Sequence, residues 1–209
     1  EGIERVRLGS LEADTLTDEE ISRLKACEKL CPHFHLSLQS GSDAVLKRMK
    51  RRYACGEYSA LVEKLRAAFP GCSITTDIMV GFPGETDEEF AESMAFVEKL
   101  GFAKIHVFPY SIRPGTVAGM RPNQVLPHVK SARAREMNAL AARIEQEYLE
   151  RQTGSIQTVL IEKQTSPEFC HGFTGSYIPV RIYGEDIPRH TLAQVKITGA
   201  GQGFCTGTT

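Results

Sequence analysis

Strict alternation of apolar and polar positions marks Phe34-His35-Leu36-Ser37-Leu38-Gln39 as a strand, with His35, Ser37 and Gln39 on one face. Ser73 to Val80 reads as another: Thr75 and Asp77 lie on one side, Ile78 and Val80 on the other. Shorter strand-like runs stand at Arg5-Val6-Arg7-Leu8 and at Lys104 to Phe108. Between them the period is helical. Thr17 with Glu20 forms a capping-box pattern that opens a helix through Leu24 to about Lys29. Thr86 with Glu89 opens another that carries Phe90, Met94, Val97 and Leu100 and stops at Gly101. A short helix is predicted from Asp43 to about Lys50, and a longer one from about Gly56 to Phe69 with Leu61, Leu65 and Ala68 on its apolar face. The order strand, helix, strand, helices, strand, helix, strand predicts a parallel sheet with right-handed crossovers.

After a Pro-rich loop from Pro109 to Pro122 the character changes. A long helix from about Val125 carries Met137, Leu140, Ala141, Ile144 and Tyr148 at helical spacing and ends near Gly154. Short β-rich runs follow at Gln157–Glu162, Ile178–Ile182 and Leu192–Ile197, punctuated by Gly175, Gly184-Glu185-Asp186 and Gly199. They predict a small all-β barrel or sandwich as a separate module. The chain therefore divides near Arg151 into an α/β portion, residues 1–150, and an all-β portion, residues 151–209.

A net charge of −1 excludes a strongly basic, histone-like nucleic-acid binder, though not a local basic patch. No run approaches the roughly 18 apolar residues of a membrane span, and no secretory leader is expected. The six cysteines lack disulfide-framework spacing, which points to a reducing cytoplasm. The chain starts at Glu1 without a methionine and enters strand-like sequence almost at once, so it is expected to be a piece of a longer protein.

The strand faces on one side carry unusual chemistry. The first presents Arg5, Arg7 and Gly9, the second His35, Ser37 and Gln39, the third Thr75 and Asp77, and the fourth His106 and Phe108. An ordinary closed barrel fills its interior with branched apolar side chains. A buried carboxylate is costly unless something pairs with it. Some of these groups could pair only with each other, but polar positions on four strands together predict a ligand cavity at the carboxyl edge, where such barrels place their sites.

Three stretches carry a family resemblance. His33 to Asp43 with Leu46-Lys47-Arg48-Met49, then Asp77 to Thr86, then Phe108 to Thr116, resemble the methylthiotransferases of the radical S-adenosylmethionine superfamily in wording, order and spacing. The resemblance runs on into a terminal module similar to a TRAM domain, a small OB-like RNA-binding barrel. It implies the later half of a partial, incomplete TIM-like barrel. Within the family, His35-Leu36-Ser37-Leu38-Gln39-Ser40-Gly41 is most similar to the MtaB-type tRNA enzymes, which convert N6-threonylcarbamoyladenosine beside the anticodon into its 2-methylthio form. The MiaB-type isopentenyladenosine enzymes and the ribosomal-protein methylthiotransferases are the alternatives, and a non-catalytic RNA-binding protein is a third.

The resemblance implies that Gln39 and Asp77 lie beside bound S-adenosylmethionine, near its ribose or amino-acid end. It implies that Ile78 to Gly81 approach the adenosine and that the strand holding His106 and Phe108 runs near the adenine. The full enzyme would use two four-iron clusters, an electron-donor protein and tRNA. One cluster's electron would generate a 5′-deoxyadenosyl radical that abstracts hydrogen from C2 of the adenine, and a sulfur unit held by the other would be inserted and methylated. The cluster motif of the superfamily is C-x3-C-x2-C, and thiolate ligation makes that site. Here Cys27 and Cys31 have the first spacing, but Phe34 stands where the third cysteine belongs. Both clusters are therefore expected upstream of this chain, which by itself should be colourless and inactive.

Lys47, Arg48, Lys50, Arg51 and Arg52 form the densest basic run, with Tyr53 adjoining. They are a candidate track for tRNA phosphates with an aromatic available for stacking, or else the solvated face of a short helix. The terminal module balances Lys163, Arg181, Arg189 and Lys196 against Glu162, Glu168, Glu185 and Asp186, so RNA binding there rests on the resemblance. Phe173 and Tyr177 read as core with stacking as the alternative, and Gly199 to Gly203 read as a hairpin turn.

Overall fold

Four parallel strands, β1 (Ser10–Leu11), β2 (His33–Leu36), β3 (Ser73–Val80) and β4 (Lys104–Pro109), pair in chain order in a computed structural model that describes residues 2–166, 169–184 and 187–209. Helices α1 (Asp18–Lys25), α2 (Asp43–Arg48), α3 (Cys55–Ala68) and α4 (Asp87–Leu100) connect them. The apolar parity of the strands decides which face the helices cover. Phe34, Leu36, Ile74, Ile78 and Val80 are buried in one core with Leu61, Leu65, Val97 and Leu100. Both predicted capping boxes form: Thr17 and Glu20 exchange hydrogen bonds at the start of α1, and Thr86 and Glu89 do so at α4. Gly101 takes the left-handed conformation that ends α4.

The first predicted strand is displaced. Val6 makes only an isolated bridge to Leu30, and the paired strand is Ser10–Leu11. Arg5 is drawn instead toward the β-module, donating to Thr158 O at 2.7 Å and Phe173 O at 3.3 Å, while Arg7 lies on the Tyr177 ring. The helix predicted to reach about Lys29 stops at Lys25, because Lys29 O and Cys31 N are taken by the backbone of Val6.

Helix α5 (Pro127–Glu150) belongs to both halves of the molecule. Met137, Leu140, Ala141 and Ile144 join the sheet's core, and Leu149 joins the core of the β-module. That module is a closed barrel in the order β5 (Ile156–Ser166), β6 (Phe169–Thr174), β7 (Pro179–Tyr183), β9 (Phe204–Thr208), β8 (Leu192–Gly201). All neighbours are antiparallel except β7 and β9. Two of the five strands, β6 and β9, do not appear in the sequence pattern because glycine interrupts them. The glycines are needed there: a Cβ on Gly172 would stand 2.3 Å from Leu160 O, and one on Gly207 would stand 2.5 Å from a Val195 methyl. The Gly-rich run is a hairpin, with Gly201 paired to Phe204 and Gly203 at φ +78°. Glu1, Glu168, Glu185 and Asp186 lie outside the described residues.

Candidate functional site

The polar face of the sheet is wired together. Asp77 Oδ2 faces His35 Nε2 at 3.2 Å and accepts from Ser37 Oγ at 3.4 Å. His35 Nδ1 lies 2.9 Å from Thr75 Oγ1, which lies 3.4 Å from His33 Nε2. The carboxylate sets the sense of this chain. A proton on His35 Nε2 leaves Nδ1 to accept from the Thr75 hydroxyl, and Thr75 can then accept from His33. Burial, followed by the charges of Arg7 and His35, pushes the His33 pKa down to about 4, so this imidazole is neutral near pH 7. The predicted polar faces thus satisfy one another in part, and they also converge.

At the carboxyl edge the backbone departs from the regular ladder. His35 pairs with Thr75, but Gln39, three residues past the end of β2, bridges Ile78, so four steps from His35 match three along β3. This is a β-bulge, a device that re-aims side chains beside sites. Buried hydroxyls satisfy the freed backbone. Thr76 Oγ1 donates to Leu36 O at 2.6 Å and accepts from Leu38 N at 3.0 Å. Tyr53 OH donates to Ser37 O at 2.7 Å, and Tyr58 OH donates to Leu36 O at 2.9 Å. The chain then re-enters the sheet at Gln39, whose N donates to Asp77 O and whose O accepts from Met79 N, both at 2.8 Å. Gln39 holds φ +69°, an uncommon conformation for a residue other than glycine and one that clusters at functional sites.

The turn after β3 is fastened from beneath. The Glu85 carboxylate accepts from Gly81 N at 2.9 Å and Phe82 N at 3.3 Å, and Arg133 of α5 donates to its other oxygen at 3.0 Å. Arg133 also reaches Glu85 O and Asp87 Oδ1. Burial raises the Glu85 carboxyl above its ordinary range, with Arg133 pulling the other way. Gly81 takes φ +73°, and a Cβ there would run into the Lys130 side chain.

Asp77 and His106 are direct partners across β3 and β4, and the rings of His35 and His106 stand 5.9 Å apart. His106 and Phe108 are exposed, while Gln39 and Asp77 are half-buried. Ile78 is fully buried in the helix-side core, so only its backbone can face a ligand. A cavity of about 500 Å³ opens at the opposite, amino end of the strands. His33, His35, Thr75 and His106 line it together with Arg7, Phe173 and Tyr177, whereas Gln39, Asp77, Gly81 and Phe108 do not.

The basic run divides. Arg48 is engaged by both oxygens of Glu89, lowering that carboxyl, and Arg51 pairs with Glu12 at 2.7 Å. Lys47, Lys50 and Arg52 are exposed. Tyr53 is not available for stacking: it is buried, with its hydroxyl on the bulge and its pKa pushed up to about 12 by desolvation. Tyr177 is not core either, for it is 40% exposed. Cys27 is exposed and Cys31 buried, and among the described residues no group of three metal-ligating side chains could hold an ion. Arg133, Thr76 and Tyr58 escaped the sequence reading. For Arg133 and Thr76 the signals were an arginine four residues before Met137 on an apolar stripe and a threonine on the apolar parity of β3.

Residues 3–97 match the family model of the radical SAM superfamily. The chain is 38% identical over 99% of its length to the threonylcarbamoyladenosine tRNA methylthiotransferase MtaB of Bacillus subtilis (strain 168), covering 47% of that protein. It is 43% identical over 77% of its length to the tRNA-2-methylthio-N(6)-dimethylallyladenosine synthase of Acidothermus cellulolyticus (strain ATCC 43068 / DSM 8971 / 11B), covering 32% of it. The chain therefore spans less than half the length of these relatives. Among solved structures it is similar to coproporphyrinogen III oxidase (HemN) from Escherichia coli, a radical SAM enzyme. The TM-score is 0.57 at 16% identity over 82% of this chain and 44% of that one, which shows a shared fold. No helix among the described residues is long and apolar enough to cross a membrane.

Proposed function

We propose that this chain, a homologue of the radical SAM tRNA methylthiotransferases, forms the later strands of a partial barrel whose carboxyl edge holds S-adenosylmethionine, joined by α5 to a TRAM-like RNA-binding barrel. The observation that carries the reading is Gln39, held at φ +69° by a hydroxyl-braced bulge directly beside Asp77. A ribose diol or an ammonium group needs acceptors, and a carboxylate with a neighbouring amide supplies them. Asp77 keeps a second oxygen beyond the one shared by His35 and Ser37. His106 and Phe108 offer exposed surface on the adjoining strand, and the backbone at Ile78 and Gly81 completes the edge. When bound, the cofactor supplies the radical and methyl-transfer chemistry; these residues bind it, orient it and exclude water. The iron–sulfur clusters do not fit the described cysteines, so no step is assigned to them.

The substrate within this reading is N6-threonylcarbamoyladenosine beside the anticodon of tRNA, modified in the cytoplasm with an electron-donor protein. The wording of β2 and the loop after it favours this base. The dimethylallyladenosine alternative draws support from the comparisons, in which 38% and 43% identity do not separate the two substrate classes. Lys47, Arg48, Lys50, Arg51 and Arg52 are the phosphate-facing candidates, of which Arg48 and Arg51 are the ones ion-paired among the described residues. Two measurements test the reading. Calorimetry of the longer protein should show weaker S-adenosylmethionine binding for Asp77→Ala, and unchanged affinity would refute the site. Mass analysis of tRNA nucleosides from a deletion strain should show loss of the 2-methylthio group on threonylcarbamoyladenosine. Loss on the dimethylallyl nucleoside instead would select the alternative.

A further inference from the structure

The hydrogen-bonded wall of the sheet has a direction on which its two ends agree. At the carboxyl edge Asp77 Oδ2 takes two donors, His35 Nε2 at 3.2 Å and Ser37 Oγ at 3.4 Å, and Oδ1 has no protein partner among the described residues. A carboxylate only accepts, so His35 carries a proton on Nε2, and the neutral ring turns a bare Nδ1 to Thr75 Oγ1 at 2.9 Å. The Thr75 hydroxyl directs its single proton to that nitrogen and receives the Nε2–H of His33 at 3.4 Å. The far end of the chain is therefore a lone pair on His33 Nδ1. That nitrogen is buried without a hydrogen-bond partner, and the His33 ring stands beside the Tyr177 ring with centroids 5.3 Å apart. With the opposite sense His33 would instead bury an N–H aimed at no acceptor, a rarer and costlier defect than an unused lone pair. His33 and Thr75 are 5% and 8% exposed, so bulk water does not stand in for either partner. The orphaned nitrogen is the terminus that the carboxylate at the other end requires.

We propose that His35 is a positioning residue for the cofactor: with Ser37 it holds Oδ2 of Asp77 and so turns Oδ1 to the ligand, while Thr75 and His33 behind it fix the aim of its ring. The inference rests on the reading of this edge as the S-adenosylmethionine site and deepens it by naming the residues that orient the acceptor. Of these residues Asp77 alone is placed to touch the cofactor, and the other three act through it. A network that served packing alone would spread its donors over both carboxylate oxygens. This one sets two donors on one oxygen and leaves the other without a partner at a half-buried position, where an uncompensated charge is costly. The cross-strand neighbour does not supply the missing donor: His106 is the register partner of Asp77, yet its ring stands beside that of His35, 5.9 Å away, and forms no ion pair with the carboxylate. A ligand that brings an ammonium or hydroxyl donor to Oδ1 completes the set.

The two amide replacements for histidine separate positioning from packing. Glutamine sets its donor near the place of Nε2, and asparagine sets its donor near that of Nδ1. Calorimetry of the longer protein with S-adenosylmethionine should give His35→Gln an affinity within about 3-fold of the parent, and His35→Asn a loss of roughly 5- to 30-fold. Thr75→Val deletes the hydroxyl that holds the ring and should weaken binding roughly 3- to 10-fold, while Thr75→Ser should restore it. Nitrogen NMR of the chain labelled with 15N-histidine should show a proton on Nε2 and a bare Nδ1 in both His33 and His35. A proton on Nδ1 of either ring overturns the sense of the network and the inference with it. Equal affinities for His35→Gln and His35→Asn, with Asp77→Ala still weak, overturn the positioning role and leave the cofactor site standing. Unchanged affinity for Asp77→Ala removes the site and the inference together. Should His35→Asn unfold, the Thr75 pair decides: loss with valine and recovery with serine support the role, and equal affinities refute it.

Discussion

Replacing Arg133 by methionine should loosen the turn at Gly81–Phe82 without disturbing α5. Methionine keeps the aliphatic stem and helix propensity but deletes the guanidinium that reaches Glu85 Oε1 at 3.0 Å and Glu85 O at 3.1 Å. Both partners are nearly out of water, at 7% and 4% side-chain exposure. Breaking such a pair by removing one member leaves a buried charge uncompensated and costs about 3 to 5 kcal/mol. The lower end applies here because Glu85 keeps two backbone N–H donors. The Arg133–Asp87 contact adds little, since Asp87 is 91% exposed. A loss of about 3 kcal/mol corresponds to roughly 100-fold faster hydrogen exchange at the Gly81 and Phe82 amides if they exchange through that opening.

The dependence on pH distinguishes this account from a simple packing defect. Burial holds the Glu85 carboxyl above its ordinary value, with Arg133 pulling it down. A carboxyl with a raised folded value binds its proton more readily in the native state. Stability therefore falls as pH rises from the unfolded value toward the folded one. Removing Arg133 removes the opposing pull and widens that window. The penalty measured by urea unfolding should be larger near about pH 8 than near about pH 5, and Glu85→Gln in the same background should flatten the difference. A penalty below about 1 kcal/mol, or one equal at the two pH values, would refute the buried-pair reasoning.

Two further outcomes follow from the same geometry. Thr76→Val removes a donor to Leu36 O and an acceptor for Leu38 N at once, so it should cost about 2 to 4 kcal/mol in urea unfolding, against about 1 to 2 for Tyr53→Phe. Equal, negligible losses would mean that water already serves the bulge. His33 is protonated more readily when unfolded, since its folded pKa is about 4 against an ordinary 6.5. Its contribution is complete above about pH 6.5 and fades as pH falls toward 4, by roughly 3 kcal/mol in all. His33→Gln should remove that part of the acid dependence, and an unchanged profile in denaturant titrations would contradict it.

The parallel sheet and its helices were legible because parity and caps act locally. Thr17 with Glu20 and Thr86 with Glu89 announce helix starts within four residues, and the alternation from Ser73 to Val80 matches the observed strand at both ends. The first strand was misplaced by two side chains whose partners are distant in sequence. Nothing between Arg5 and Leu8 reveals that Arg5 will reach Thr158, more than 150 residues away. The barrel strands β6 and β9 were hidden for a different reason. Glycine reads locally as a breaker, yet at Gly172 and Gly207 it answers a crowding that exists only once neighbouring strands have closed.

The same distinction runs through the site. His35, Asp77 and His106 could be read from the polar parity of their strands, and they do gather, because parity fixes the face and parallel register fixes the neighbours. The bulge could not be read that way. A regular β2 would carry its alternation through Gln39 in the register set by His35 and Thr75. The chain slips by one residue because Leu36, Ser37 and Leu38 find their hydrogen bonds on Thr76, Tyr58 and Tyr53. Thr76 and Tyr58 sit at positions whose parity or helical phase reads as apolar core, and Tyr53 stands in the loop just before α3. A polar group on a buried face is a debt that some other group must settle. Here the group settled is the backbone that places Gln39 beside Asp77, so residues that look like packing set the geometry of the residues that look like chemistry.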